Sequence, residues 1–465
     1  MQSMRAEDVA LLCAEPDGAQ LQIGALCFFD AAPLRDRRGR VRLAALRSHV
    51  ASQLDAVPRF RQRIAPTWAD LAAPVWVDDT DFDLARHTPL VTLPAPGGPA
   101  ALRTFLDRLL SEPMDVAHPL WDIHVVDGYD DDVIAVVVRA HHVMADGLAL
   151  YDAATLLLSA APSPPRRTAS HWTPQPEPAA GRRNAIALLD RAGRRIALAS
   201  AAIRQVLDPR RAVANARFAA QAVRSVPGAR LPIAPSLAIT GPVGTRRAFA
   251  WDTLPMSDII AVKRACDATV NDVVLAIVTG ALRAELDATD CFDPSGPEPR
   301  ALVPIGSTDR TDPEPGNRFS ITSVALPVAV DDPLERVGLI HARMHQRPAS
   351  PATSLLPHLF SVADLVPIPA LRVMAPWALR RQPLVNLAVS NIPGSREPLY
   401  LGESRLLGLH PFITGVGNMA LIVGVLSYAD TLGVGITVDP DVAGDPARIV
   451  EHMRRSAIEL ARLAR

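Results

Sequence analysis

The stretch that most limits what this chain can fold into is Val133-Ile134-Ala135-Val136-Val137-Val138, an unbroken apolar run that leads into Arg139-Ala140-His141-His142. Most of its side chains are β-branched, which suits a pleated sheet and crowds a helix. A run this short and apolar at every position reads as a buried strand. Asp146-Gly147 follows shortly and predicts a turn, because glycine accepts the backbone angles that end a strand sharply. Two imidazoles therefore stand where a buried scaffold gives way to a loop. There the scaffold fixes a side chain and the loop admits a substrate.

Histidine is the side chain best matched to taking a proton near neutral pH. Neighbours on a strand point to opposite faces, so if the strand continues through both, His141 and His142 cannot both face one cavity. One is then the base, and the other packs or hydrogen-bonds. Asp146 either orients an imidazole or pins the turn. Three readings stay open. The first is a general base in a proton- or acyl-transfer site. The second is a metal site, for which His142 and Asp146 have the i,i+4 spacing of a helix, although a strand followed by a turn argues against a helix here. The third is a pair of satisfied structural histidines.

The chain has 465 residues, 49% hydrophobic and 21% charged, with a net charge of -1, a globular composition with room for two domains. No nucleic-acid partner is expected. No window of eighteen residues is wholly apolar, and the amino terminus lacks a basic-then-apolar secretory pattern, so the chain is expected to stay inside the cell without spanning a membrane. Cys13, Cys27, Cys266 and Cys291 show no CxxC pairing, which argues against a disulfide framework or a cysteine zinc site. There is no GxSxG elbow, no cysteine beside a histidine, no P-loop and no GxGxxG. With no obvious nucleophile for a covalent acyl-enzyme, the chemistry left to a histidine is activation of an alcohol. That alcohol would attack directly a substrate that already carries a good leaving group.

Several other segments carry readable patterns. Val41 to Leu54 spaces apolar residues for an amphipathic helix, and Leu102, Phe105, Leu106, Leu109 and Leu110 form a helical core stripe. Arg59, Arg61 and Arg63 alternate, as on a solvated strand edge or a rim for an anionic substrate. Trp76 and Trp121 read as core. Ala161–Arg167 and Pro174–Pro178 are proline-rich and mark an inter-domain crossover. Beyond them Ile186, Leu189, Ile196, Ile203, Val206 and Leu207 oppose Arg191, Arg194, Arg195, Arg204, Arg210, Arg211 and Arg217. Such a helix either lies on an anionic lipid surface or packs on its own protein with a solvated basic face. Thr269-Val270-Asn271-Asp272 precedes an apolar stripe and predicts a helix N-terminus. Asn271 then serves an oxyanion at the positive helix end, or belongs to a cap and nothing more. Asp445-Pro446 predicts the cap of a last helix, with Ile449, Val450, Met453, Ile458 and Leu460 on its core side.

His141-His142-x-x-x-Asp146-Gly147 resembles the HHxxxDG motif of the CoA-dependent acyltransferase superfamily, which peptide-synthetase condensation domains share. More narrowly, the chain resembles the bacterial wax ester synthase/diacylglycerol acyltransferase family. Val57–Arg63 looks like its VPRFRQR segment, Pro119-Leu120-Trp121 its PLW, and Asn271–Ala276 its NDVVLA. Gly316-Asn317, Ser390–Gly394 and Pro398–Gly402 are similar to further landmarks in the same order, whereas Gly306–Arg310 departs from the usual pattern.

The resemblance implies an α/β fold of two chloramphenicol-acetyltransferase-like mixed-sheet domains, 1–165 and 231–465. A crossover, 166–230, with basic amphipathic helices joins them, and the site lies in a channel between the domains. It implies a long-chain acyl-CoA-dependent O-acyltransferase that makes triacylglycerol from diacylglycerol, wax ester from a fatty alcohol, or both. His142 would be the base and His141 its support, Asp146 and Gly147 would hold the loop, and Asn271 would steady the oxyanion. No metal or bound cofactor is expected, acyl-CoA being a substrate. The enzyme would sit in the cytoplasm, peripherally on the inner membrane face or lipid droplets. The alternatives are acyl transfer to another alcohol or amine, and a non-catalytic lipid-surface protein. The intact His142, Asp146, Gly147 and Asn271 set speaks against the second.

Overall fold

The computed structural model describes residues 2–15, 20–70, 72–144, 158–162, 172–207, 233–306, 319–345 and 366–465. The first half of the chain forms β1 (Gln2–Ser3), α1 (Ala6–Ala14), β2 (Gln22–Asp30), α2 (Leu43–Gln53), β3 (Gln62–Ala65), β4 (Val75–Asp78), β5 (Leu90–Thr92), α3 (Gly98–Ser111), β6 (Trp121–Asp127) and β7 (Val133–His141). The long helix α4 (Ala180–Leu207) follows. The second half adds β8 (Ala248–Pro255), α5 (Met256–Ala265), α6 (Val270–Ala288), β9 (Arg300–Gly306), β10 (Phe319–Ala325), α7 (Pro333–His345) and α8 (Ile368–Arg380). It closes with β11 (Leu387–Ile392), β12 (Tyr400–Leu401), β13 (Ser404–Ile413), β14 (Leu421–Tyr428), β15 (Thr431–Val438) and α9 (Pro446–Leu463).

The apolar runs become two six-stranded mixed sheets, β12-β13-β2-β7-β6-β5 and β10-β9-β11-β14-β15-β8, with a small sheet β1-β4-β3 beside them. In the first large sheet β5 and β6 are parallel; in the second β11 is parallel to both β9 and β14. This is the mixed-sheet α/β fold that the resemblance implies. The expected core stripe on α3 is buried in full, and Trp76 and Trp121 are 2% and 3% exposed. On α9, Ile449, Val450, Met453 and Leu460 are buried but Ile458 is 57% exposed, a correction to its expected core side. Asp445 caps that helix by accepting from Ala447 N–H at 2.9 Å.

One strand belongs to both halves. β13 lies late in the chain, yet it pairs with β2 from Ile23↔Ile413 to Phe29↔Leu406. Its flanking strand β12 is bridged to Ser159, with N–H···O distances of 2.8 and 2.9 Å in the two directions. A sheet boundary therefore does not coincide with residue 231. On its other side β13 lies against β14 and β15 so closely that glycine is required. A Cβ on Gly433 would stand 1.8 Å from the Leu409 carbonyl oxygen, and one on Gly435 1.9 Å from that of Pro411. A second core forms where the halves meet. Phe249 and Phe412 pack edge-to-face at 5.8 Å, with Leu102, Phe105 and Leu106 around them. Helix α3 also covers the edge of β8, because Asp107 accepts from Phe249 N–H at 2.8 Å and Ser111 Oγ from Arg247 N–H at 2.8 Å. Covering an edge this way satisfies its N–H groups and blocks further strand pairing.

The three alternating arginines are neither a solvated edge nor a free rim. Arg59 to Arg61 lie in a short 3-10 turn and only Arg63 is in β3. Arg61 pairs with Asp55 at 2.7 Å and lies over the Trp172 ring, Arg63 pairs with Glu177, and Arg59 stacks on Trp76 at 4.2 Å. Arg61 and Arg63 thereby fasten the proline-rich crossover to the first half. Helix α4 packs on its own protein, but through a different face from the apolar side its sequence predicts. It docks through Asn184, Ala187 and Arg191: Ala187 is buried among Ala65, Ala72, Val75 and Val77, and Arg191 Nη2 donates to Val366 O at 2.7 Å. Leu189 and Ile196, placed by the sequence on the apolar side, are 71% and 69% exposed. The side chains of Ile203, Val206 and Leu207, and all of Arg210, Arg211 and Arg217, lie outside the described residues.

The closeness of β13 to β15 predicts opposite effects for two glycine-to-alanine changes. Gly433→Ala should lower stability by about 1–3 kcal/mol or more, because a backbone carbonyl must move to admit the methyl. Gly193→Ala, in mid-α4 with nothing within 4 Å of the new carbon, should raise it by roughly 0.5–1 kcal/mol. Chemical denaturation midpoints of the two variants against wild type check this, and equal midpoints would refute the close approach.

Candidate active site

The strand β7 carries the histidines to its end and fixes both backbones. His141 N–H donates to Leu120 O at 2.9 Å on the β6 side, and His142 N–H to Leu21 O at 2.8 Å on the β2 side. The strand stops at His141. His142 begins a 3-10 turn, His142–Met144, so the rule of alternating faces does not separate the two rings. Val143 and Met144 are buried in the core beside α1 and anchor that turn.

His141 is 1% exposed and saturated. Val143 N–H donates to its Nδ1 at 3.2 Å, which leaves the proton on Nε2. Nε2 is 2.9 Å from Glu15 Oε1, and the same oxygen accepts from Leu21 N–H at 2.9 Å. Glu15 follows α1 and is 126 positions from His141 in sequence, so no local pattern announces it. A carboxylate that holds one imidazole nitrogen fixes the ring's orientation and tautomer. His142 is half-buried, and its pKa is pushed down to about 4, first by burial and then by the neighbouring His141. Its ring is therefore neutral around pH 7, with a nitrogen lone pair to offer. Asp146 and Gly147 lie outside the described residues, as does most of Gly306–Arg310.

The buried surroundings of the pair are tightly bonded. Arg139, two residues earlier, is 6% exposed and forks onto Asp122 at 2.5 and 3.1 Å, with its third arm on Leu109 O at 2.5 Å. His87 gives its Nδ1 to Trp121 O at 2.7 Å and stacks on the Trp121 ring at 4.6 Å, a structural role. The end of β13 arrives at the same place. Thr414, fully buried, accepts from Gln22 N–H at 2.7 Å and donates to Gln20 O at 2.9 Å. Gln22 is the residue paired with His141. The late half of the chain thus meets the early half beside the histidines.

Asn271 stands in the first turn of α6, on the helix layer of the other large sheet. The expected capping box is present: Thr269 Oγ1 accepts from Asp272 N–H at 3.2 Å, and Asp272 Oδ2 accepts from Thr269 N–H at 2.9 Å. Asp272 serves the cap and Asn271 does not, so the half-buried Asn271 amide is held at the positive helix end without being spent on it. Among the described residues no hydrogen bond joins Asn271 to either histidine. The sequence reading also passed over His341, whose Nδ1 lies 2.8 Å from Asp272 Oδ2. The signal was there in His341-x-x-x-His345, one turn apart near the end of α7.

Comparison with known proteins finds two family matches in this chain. Residues 4–274 match the wax ester synthase/diacylglycerol acyltransferase catalytic domain, and residues 315–461 match the WS/DGAT C-terminal domain. A "probable diacylglycerol O-acyltransferase", tgs1, of Mycobacterium tuberculosis is 30% identical over 468 residues, covering 99% of this chain and 94% of its own length. Among solved structures, the wax ester synthase/diacylglycerol acyltransferase of Marinobacter aquaeolei is similar in fold, with a TM-score of 0.68 at 23% identity and 99% of each chain covered. The first condensation domain of the CDA synthetase shares the fold more distantly. Its TM-score is 0.57 at 16% identity, with 100% of this chain and 96% of that one covered.

Proposed function

The chain belongs to the wax ester synthase/diacylglycerol acyltransferase family and is an acyltransferase, and on that premise we propose that His142 is the general base of a direct transfer from long-chain acyl-CoA to the hydroxyl of diacylglycerol or a fatty alcohol. The observation that carries this reading is a neutral, half-buried imidazole at a strand end, whose neighbour is locked by Glu15. In the step, His142 takes the hydroxyl proton as the alcohol oxygen bonds to the thioester carbonyl carbon. Asn271 and the N-terminus of α6 stabilise the oxyanion. The C–S bond then breaks, and the proton passes from His142 to the CoA thiolate. His141 and Glu15 are positioning residues. The loop role expected of Asp146 and Gly147 falls outside the described residues. CoA is product rather than bound cofactor.

Purified protein given radiolabelled long-chain acyl-CoA with diacylglycerol, hexadecanol or water should transfer label to an alcohol and not to water. His142→Ala should lower kcat by about 10²–10⁴-fold, and Asn271→Ala by about 10²–10³-fold, with unchanged melting. More than about a tenth of wild-type kcat in His142→Ala would remove it from the role of base.

The substrates of this reading are lipids, and we place the enzyme peripherally on a membrane or lipid-droplet surface on the cytoplasmic side. No single helix among the described residues is long and apolar enough to cross a membrane. Three elements bonded to one another expose apolar side chains instead. They are α4 (Leu189, Ile196), α8 (Val373, Met374, Trp377) and the turn at Trp68, which is 71% exposed. Trp68 N–H bonds Asn184 of α4, and Arg372 of α8 pairs with Asp70 at 2.9 Å. Exposed Arg380 and Arg381 flank Trp377, with Arg381 over its ring at 5.3 Å. Exposed apolar side chains beside arginines suit an anionic lipid interface. Arg191, buried on Val366 O, is not part of it.

Replacing Val373, Met374 and Trp377 together by serine should weaken binding to phosphatidylglycerol-containing vesicles at least about tenfold, since each loses on the order of 1.5–3 kcal/mol of apolar burial. Equal sedimentation of wild type and variant with vesicles would contradict lipid docking by α8.

A further inference from the structure

Helix α7 carries His341 and His345 one turn apart, on one side of the helix. Both rings stand beside Asp272, the third residue of α6, which is 1% exposed. His341 Nδ1 lies 2.8 Å from Asp272 Oδ2, and the two imidazoles touch with 4.0 Å between ring centroids. His345 Nδ1 is 3.0 Å from the His341 carbonyl oxygen, which leaves its Nε2 for a ligand. Among the described residues, the hydrogen bonds to Asp272 fall on Oδ2. Its Oδ1 is thus available without loss of the helix cap.

An ion pair within a helix cap needs one histidine, not two in ring contact. Two imidazolium rings at that distance repel, and a single carboxylate does not neutralise both. A cation between neutral imidazoles uses both rings and the carboxylate together. One ligand atom from each of Asp272, His341 and His345 lies within 4.8 Å of the other two. Tetrahedral zinc at its usual bond lengths holds ligand atoms about 3.4 Å apart, so small side-chain rotations close the site. Burial falls from Asp272 through the partly exposed His341 to the exposed His345, which gives an ion a path in. Two nitrogens and one carboxylate select zinc-like ions over magnesium or calcium.

We propose that Asp272, His341 and His345 form a three-ligand site for a divalent transition metal ion of the zinc class, which ties the first turn of α6 to the last turn of α7. The ion would stiffen the turn that carries Asn271. That consequence rests on the catalytic reading above, while the binding site itself does not.

The full chain, stripped with a chelator and dialysed, is titrated with Co²⁺ by visible absorption and with Zn²⁺ by calorimetry. Wild type should bind one equivalent with the visible bands of nitrogen-ligated, low-coordinate cobalt. His345→Ala, which removes an exposed ring and no cap, should keep the wild-type melting curve in chelator and lower affinity for both ions at least about tenfold. His341→Gln should do the same to affinity. No stoichiometric binding by wild type, or equal affinity in wild type and His345→Ala, would overturn the site whether or not the protein transfers acyl groups.

Discussion

The structure depends on β13 serving two sheets at once. It lies between β12 and β2, an interior strand of the first sheet. Its backbone carbonyls at Leu409 and Pro411 press against Gly433 and Gly435 of the second sheet. Hydrogen bonds fix its register, and the missing side chains on β15 allow the approach. Neither half can shift along this strand without losing a ladder or meeting a carbonyl. The strand then ends at Thr414, bonded to Gln20 and Gln22, beside His141. The position of the histidines relative to the second half is therefore set by the element that joins the halves.

The end of β7 follows the same economy of fixed groups. His141 has one nitrogen on Val143 N–H and the other on Glu15, so its ring is held and its tautomer decided. His142 comes after the strand has ended, with its backbone still bonded to Leu21. Burial keeps it uncharged, and an uncharged imidazole is the form that accepts a proton. In the proposed step the oxyanion is stabilised as the alcohol loses its proton, which is the part proposed for the N-terminus of α6. The condensation-domain likeness shows a shared fold and does not bear on the acceptor.

What was legible in the sequence was local. Helix stripes, the Thr269/Asp272 capping box and the Asp445 cap each depend on residues a few positions apart, and each is present. Long-range pairings were not legible. Glu15 reaches His141 across most of the first half, and the crossover's Glu177 takes Arg63. Alternating arginines look identical in sequence whether they face water or an internal carboxylate. Helix α4 shows the limit of periodicity: its pattern is amphipathic, but the docking face is the small and polar one at Asn184, Ala187 and Arg191. The small sheet it covers offers alanine and valine, and a helix approaches such a surface closely only through a small residue such as Ala187. Ile458 on α9 lies outside the arc of Ile449, Val450, Met453, Ala457 and Leu460 and faces solvent.

In the proposed mechanism the acyl group passes directly from CoA to the alcohol, with His142 moving the proton and no group on the protein carrying the acyl chain. Initial rates measured over a grid of acyl-CoA and acceptor concentrations test it most directly, together with intact-mass measurement of protein incubated with acyl-CoA alone. Direct transfer gives intersecting reciprocal plots and an unmodified mass. Parallel plots, or an acylated protein that forms without acceptor and passes its acyl group on when acceptor is added, would contradict it.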